Sequence, residues 1–428
     1  MEKTTKDRIS KTLLHDWHVT HGANMANFGG YEMPLWYPAG VKVEHRAVLT
    51  AAGLFDTSHM AVVTVRGSDA HDLLQYCFTK DLDACAGRGR EPLTSGRCVY
   101  GAFLDENGYS IDDAIVYQFE QGSYMIVVNA GMGGRIARHL SEHRGSKEVE
   151  ITDLSDRVGK LDVQGPKSAV ILGRILASPE KVFEKLSYFS FKGHFDPASP
   201  GAGGARLKDG TPVLLSRTGY TGEFGFEIFI APEHFVRLWE TILEAGKDLA
   251  LIPCGLGARD SLRSGAVLPL SHQDIGNWPF INHPWPFALP FDEDMKGFTK
   301  DFLGRGALLN GHSPEYTLAF VGNDLRKVCT EDPAVVLDVE GREIGRVLTC
   351  VSDMGIGRHE GRIYSIADPD KPENFDPAGL SCGFVKVRMQ LKPGDTVELK
   401  DRRRKLKVTI VEDIRPNRTA RRPIQQML

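Results

Sequence analysis

A chain of 428 residues with 52 basic and 56 acidic side chains carries a formal charge of −4, which suits two or three structural units sharing an interface. It has no basic surplus to bind nucleic acid or anionic lipid, so a small polar ligand is the better fit. Seven scattered cysteines without a C-x-x-C pair suggest neither a zinc site nor a redox dithiol, and predict reduced thiols in a cytoplasmic protein. The N-terminal MEKTTKDRISKTLL is too polar for a signal peptide, and no apolar run approaches the roughly 20 residues of a membrane span.

In chain order, short apolar runs of strand character (AVVTVRG, YMIVVNA, GKLDVQG, PVLLSRTG, GFEIFIA) alternate with helical periodicity in SDAHDLLQYCF, GRIARHLSEH, GPKSAVILGRIL and PEHFVRLWETILEAG. Ser68 and Asp69, Pro166 and Pro232 stand where helices start. The fold class read from this alternation is α+β. From about residue 315 the texture changes to short strands and turns, which predicts a separate all-β unit, a barrel or a sandwich, over 316–428 behind a first region of 1–315. The segments 195–212 and 366–380 are rich in Pro, Gly and Asp and read as surface loops, and DRRRK at 401–405 as a solvated hairpin end.

YMIVVNAGMGGRIARHL imitates a dinucleotide-binding turn, but Ile136 stands where the third glycine belongs. No GxxxxGK[ST] or HExxH occurs, so nucleotide hydrolysis and metalloprotease chemistry lose their usual signals. No metal-ligating set is read.

The stretch GYSIDDAIVYQF places two acids at the head of an apolar strand. Alternation puts Asp113, Ile115 and Tyr117 on one face and Asp112, Ala114 and Val116 on the other. Either both acids belong to a turn opening the strand, or one of them works beside an apolar and an aromatic neighbour. Spacing alone leaves both open. SRTGYTGEFGFE and CGLGARDSLR add glycine-rich approaches to a strand and a helix, where backbone can come close to a ligand; an ordinary hairpin and an ordinary helix entry read equally well.

As an ordered set, LLHDWHVTHGANMANFGGYEMPLWY, AGLFDTSHM, DENGYSIDDAIVY, MIVVNA, DVQGP, SRTGYTGEFGFE, GLGARDSLR and FLGRGAL resemble the aminomethyltransferase family, the T-protein of the glycine cleavage system and its folate-dependent relatives. The resemblance covers about the first three hundred residues; the last hundred fit the family's C-terminal barrel more loosely. It implies two mixed α/β subdomains around a central channel plus a C-terminal β-barrel, tetrahydrofolate as co-substrate, and a one-carbon donor that is a lipoylated carrier protein or a small molecule. By the same resemblance Asp113 lies at the reacting nitrogen and is catalytic, with Asp112 anchoring behind it. Glu227 and Arg259 help hold the folate, and Tyr220, Asn129, Met60, Tyr100, Ile115, Tyr117 and Tyr188 lie at or near the pocket. A carboxylate such as Glu227 is able to accept two hydrogen bonds from the pterin edge while tyrosines pack its faces; for Arg259, meeting a negatively charged tail and fixing neighbouring acids both remain open. A fixed carboxylate at Asp113 would stabilise cationic one-carbon species or relay a proton.

The pattern departs after the ARD-x-LR helix. Ser264 stands where family members have Glu, Ser271 and His272 where they have Tyr-Gly, and Trp278, Phe280, Trp285 and Phe287 crowd the next segment. These aromatics either seal a seam or make the donor site more apolar. Three functions follow: aminomethyl transfer from a lipoylated carrier giving methylene-tetrahydrofolate, folate-dependent demethylation of a small N-, O- or S-methyl compound, or folate binding without catalysis. The relatives of the last kind carry a cysteine where this chain has Thr218.

Overall fold

The computed structural model describes residues 9–85, 90–311 and 313–428. The first eight residues of the polar N-terminus and His312, in the glycine-rich link ahead of the β-rich region, lie outside the described residues.

Two sheets face each other. A six-stranded sheet runs in the order Phe191–Gly193, Leu214–Ser216, Gly225–Ile230, Gly159–Gln164, Ala52–Asp56, Leu251–Pro253, antiparallel except for its last pair. A five-stranded antiparallel sheet runs Arg97–Leu104, Ser110–Glu120, Ser123–Val128, Ala61–Arg66, Glu150–Asp153. Val62, Tyr117, Met125 and Val127 of the second meet Phe191, Leu214 and Phe229 of the first in a shared apolar layer.

Helices cover the outer faces. Leu161 and Val163 point away from the layer between the sheets and pack with helices Ser168–Ile175 and Phe235–Gly246, around a fully buried Trp239. Val63, Val65, Val116 and Ile126 do the same against helices Ala70–Cys77 and Gly133–Glu142. Alternation along each strand thus divides two apolar faces between a helix layer and a sheet layer. The dinucleotide-like segment does form strand, turn and helix, but in an antiparallel sheet, and Gly133 is needed because a Cβ there would lie 2.2 Å from Ser155 Oγ.

The β-rich region closes into a barrel, Tyr316–Val321, Leu380–Val387, Glu343–Asp353, Val335–Leu337, Thr396–Lys400, Lys405–Val411, with its own core of Phe320, Val336, Val385, Leu399 and Val408. The 401–405 run is the turn between the last two of these strands, fastened by Asp401, which accepts from the amides of Arg403 and Arg404. Beyond the barrel the chain returns. Arg415, wholly buried, reaches Asp353 of the barrel at 2.7 Å and Glu223 at 3.0 Å, and Ile424 and Met427 enter the core beneath the six-stranded sheet.

The crowded aromatics divide. Trp278, Phe280 and Trp285 are buried in a seam that also takes in Ala102, Phe302 and Phe384. The indole of Trp278 donates to Thr317 Oγ1 and that of Trp285 to the carbonyl of Val267, so both polar tips are satisfied. Phe287 alone stays half exposed. Among the described residues no helix is long and apolar enough to cross a membrane, and all seven cysteines are free thiols.

Candidate functional site

A cavity of about 1310 Å³ opens between the two sheets and the start of helix Leu256–Gly265. Asp113, Glu227, Arg259, Tyr220, Asn129, Met60, Tyr100, Ile115 and Tyr188 all line it, brought together from stretches scattered over two hundred residues of chain.

Asp113 sits on the strand Ser110–Glu120, opposite Ala102, with Tyr100 opposite Ile115 two residues along. Cross-strand partners share a face, so Tyr100 comes beside Asp113 and its hydroxyl donates to Oδ2 at 2.8 Å, while Asn129 Nδ2 donates to Oδ1 at 2.6 Å. Burial in this wall, followed by the negative charge of Asp112, raises the Asp113 carboxyl to about 6, against the opposing pull of the Tyr100 and Asn129 hydrogen bonds. The neighbouring acid points the other way. Asp112 is fully buried and accepts from the Asn129 amide at 2.9 Å, from Asn129 Nδ2 at 2.8 Å and from Ser271 Oγ at 2.8 Å, with His272 Nε2 at 3.4 Å. Neither acid belongs to the preceding turn, which Asp105 closes by accepting from the amides of Asn107 and Tyr109.

Across the cavity, the polar face of Gly159–Gln164 carries Lys160, Asp162 and Gln164, with Glu227 opposite Asp162 on the neighbouring strand. Lys160, only 1% exposed, donates to Glu227 Oε1 at 2.7 Å and to Asp162 Oδ1 at 2.8 Å. Arg259 donates to Asp162 Oδ2 at 2.6 Å and stacks its guanidinium 4.8 Å from the Tyr220 ring centre. Burial alone would push Asp162 up, but the charges of Lys160 and Arg259 outweigh it and hold the carboxyl at about 2. Arg259 therefore fixes a neighbouring acid. Glu227 Oε2 accepts from Thr218 Oγ1 at 2.6 Å and from Tyr117 at 3.3 Å; with Lys160 on the other oxygen, three of its roughly four acceptor positions are engaged inside the protein.

Tyr117 stands behind the cavity and not on its wall: it is fully buried between the five-stranded sheet that carries it and the six-stranded sheet opposite, and its hydroxyl serves Glu227 from behind. Gly219 and Gly222 of SRTGYTGEFGFE and Gly257 of CGLGARDSLR lie on the cavity wall, and packing within the chain also demands glycine in both stretches. A Cβ at Gly219 or Gly225 would meet the Gln164 side chain at 2.2 or 2.6 Å, and one at Gly255 would meet the backbone of Leu35 at 2.4 Å. These positions are glycine so that the chain fits against itself.

Lys160, Asp162 and His59 were not singled out from sequence. GKLDVQ carried a signal, since polar residues on every second position of a strand between glycines mark a polar face. His59 carried none. It is buried against the cavity, kept neutral by burial at a value of about 4, and its Nδ1 has no protein partner.

Residues 14–278 match the family described as the GCVT N-terminal domain. The chain is 34% identical to an aminomethyltransferase of Caldanaerobacter subterraneus subsp. tengcongensis over 80% of its own length and 84% of that relative, and 36% identical to one of Symbiobacterium thermophilum over 80% and 86%. Among solved structures, it is similar to the glycine cleavage system aminomethyltransferase T from Bartonella henselae, with a TM-score of 0.73 and 26% identity over 94% of this chain and 97% of that one.

Proposed function

Because the chain belongs to the aminomethyltransferase family of the glycine cleavage T-protein, we propose that it is a tetrahydrofolate-dependent one-carbon transferase, acting as an aminomethyltransferase on a lipoylated carrier protein in the cytoplasm. In this reading residues 1–315 form most of the folate-binding region, and 316–428 hold the barrel unit followed by a tail that returns to bring Arg418 and Arg421 to the cavity. The observation that carries it is Asp113: a carboxylate with a raised pKa, held by two donors, on the wall of a cavity whose opposite wall presents Glu227.

The residues fit a reduced folate. Tyr100, Tyr188 and Tyr220 offer ring faces, Glu227 retains acceptor capacity, and His59 has an unpartnered ring nitrogen. Arg97, Arg418 and Arg421 line the same cavity and suit a carboxylate tail. When bound, the folate supplies the nucleophilic nitrogen that receives the one-carbon unit. Asp113 would then serve in two ways: its negative charge would stabilise positive charge developing in the transferred group, and its carboxylate would accept the proton lost on transfer. Tyr100 and Asn129 fix both oxygens, so the charge is oriented before the donor arrives. Asp112 holds Asn129 by backbone and side chain, and so positions the group that positions Asp113.

A second reading has its own support. Ser271 and His272 line the cavity against Asp112, and Phe287, 52% exposed, tilts toward the Tyr100 ring at 5.7 Å beside it. Such a wall suits transfer of a methyl group from a small methylated compound. The two are separated by supplying tetrahydrofolate with either an aminomethylated lipoyl carrier or a panel of methylated amines, thioethers and aryl ethers. Methylene-tetrahydrofolate and ammonia from the carrier is the expected result; methyl-tetrahydrofolate from a free compound, with an inert carrier, would establish the second reading instead.

A further inference from the structure

We propose that Cys77, His139 and His143 form a binding site for a thiolate-preferring transition metal ion, zinc above all, on the face of the five-stranded sheet turned away from the cavity. Cys77 ends helix Ala70–Cys77. His139 lies in the last turn of helix Gly133–Glu142, and His143 follows one turn later, on the same side. One ligand atom from each lies within 4.8 Å of the others. Zinc bonds of about 2.0–2.3 Å hold tetrahedral ligands somewhat closer than that, a gap that small side-chain rotations close.

Two features mark the cluster as more than packing. The first is His139 Nε2, buried and without any hydrogen-bond partner, in a residue only 7% exposed. An unpartnered buried nitrogen carries an uncompensated desolvation cost, which a metal bond would offset. The second is the tautomer of His143. Its Nδ1 donates to the carbonyl of His139 at 2.8 Å, leaving the Nε2 lone pair free, the backbone-carbonyl arrangement that orients metal-binding histidines.

Burial holds the proton on the Cys77 sulfur, so an incoming ion has to displace it. Metal uptake would form the sulfur–metal bond and release that thiol proton to solvent. One thiol with two imidazoles and no carboxylate selects zinc, cobalt or copper over magnesium or calcium. Three protein ligands leave one tetrahedral position for solvent; His143, half-buried, is the member that reaches the surface.

Bound there, the ion would tie the two helices behind the acid-bearing strand together. Phe103, whose ring meets His139 edge-on at 6.1 Å, is the cross-strand partner of Asp112. The H-x3-H spacing of His139 and His143 is one that metal sites use, but the cysteine comes from a different helix, so the sequence does not announce the set.

The test uses the full chain, stripped with chelator and titrated with Zn(II) or Co(II) alone. One equivalent per chain should survive gel filtration, raise the melting temperature, and with Co(II) give tetrahedral d–d absorption with a thiolate charge-transfer band. Cys77→Ser should abolish that band. His143→Ala, at a half-exposed helix end where folding tolerates change, should weaken Co(II) binding by at least about tenfold. Failure of the wild-type chain to retain one equivalent, or a charge-transfer band unaltered by both substitutions, overturns the site. None of these readouts depends on turnover, so they stand apart from the folate assignment.

Discussion

Nδ2 of Asn129 lies 2.6 Å from Asp113 Oδ1, and the same nitrogen donates to the buried Asp112 at 2.8 Å. One amide thus joins two carboxylates of unlike duty. The buried acid fixes the amide, and the amide fixes the acid that faces the cavity. Replacing Asp113 by Asn keeps the shape and removes the charge. Turnover should fall by roughly a hundredfold, about 3 kcal/mol in the barrier, with tetrahydrofolate affinity within twofold of wild type. Single-turnover kinetics beside equilibrium folate binding checks both halves, and an unchanged rate would remove Asp113 from the mechanism.

The same residue sets a pH dependence. Its carboxyl is raised from 3.8 to about 6 by burial first and by Asp112 second. In the proposed mechanism the reactive form is the carboxylate, so turnover should rise with pH through an acid limb centred near 6. For stability the sign is opposite. Between its unfolded value near 4 and its folded value near 6 the native chain binds the extra proton, so the contribution of Asp113 to stability is present below pH 4 and lost as pH rises to 6. Asp113→Asn should therefore melt no lower than wild type at pH 7.5, and its rate profile should lack the limb. Melting curves at pH 5 and 7.5 would reveal an error of sign.

Lys160 offers a harsher experiment. It is the cation between Asp162 and Glu227, and Arg259 relieves only the first of them. Lys160→Met leaves Glu227 facing Asp162 with nothing but hydroxyl donors, a buried uncompensated charge worth about 3–5 kcal/mol. Urea unfolding should show a loss of that order, and folate affinity should drop because Glu227 protonates or turns away. A variant as stable as wild type that binds folate normally would mean the lysine is dispensable.

How far the sequence was legible depends on the length scale of the physics. Strand and helix periodicity in AVVTVRG or PEHFVRLWETILEAG is local, and the elements Ala61–Arg66 and Phe235–Gly246 formed there. Alternation in SIDDAIVYQF likewise separates Asp112 from Asp113. What alternation does not carry is the partner across the gap: which sheet Tyr117 lies under, or that Lys160 meets Glu227 from a strand far along the chain. The aromatics after residue 277 were undecidable for the same reason. Trp278 and Trp285 turn into the seam because Thr317 and the Val267 carbonyl wait there for their indole hydrogens, while Phe287 finds only the cavity edge.

His272 carries the last prediction. It is held at φ +64°, where a side chain costs roughly 1 kcal/mol and glycine costs nothing. It lies half exposed on the cavity wall, its Nε2 3.4 Å from Asp112, and that carboxylate raises its pKa. Strain and charge at a cavity-wall residue beside Asp112 make His272 the residue to test for donor choice. His272→Gly should raise unfolding stability by up to about 1 kcal/mol and leave tetrahydrofolate affinity unaltered, while KM for the working donor climbs several-fold and the activity ranking across the donor panel changes. If the ranking and KM hold steady while only stability improves, His272 is a backbone accident, and donor choice must be sought in Ser271 and Phe287.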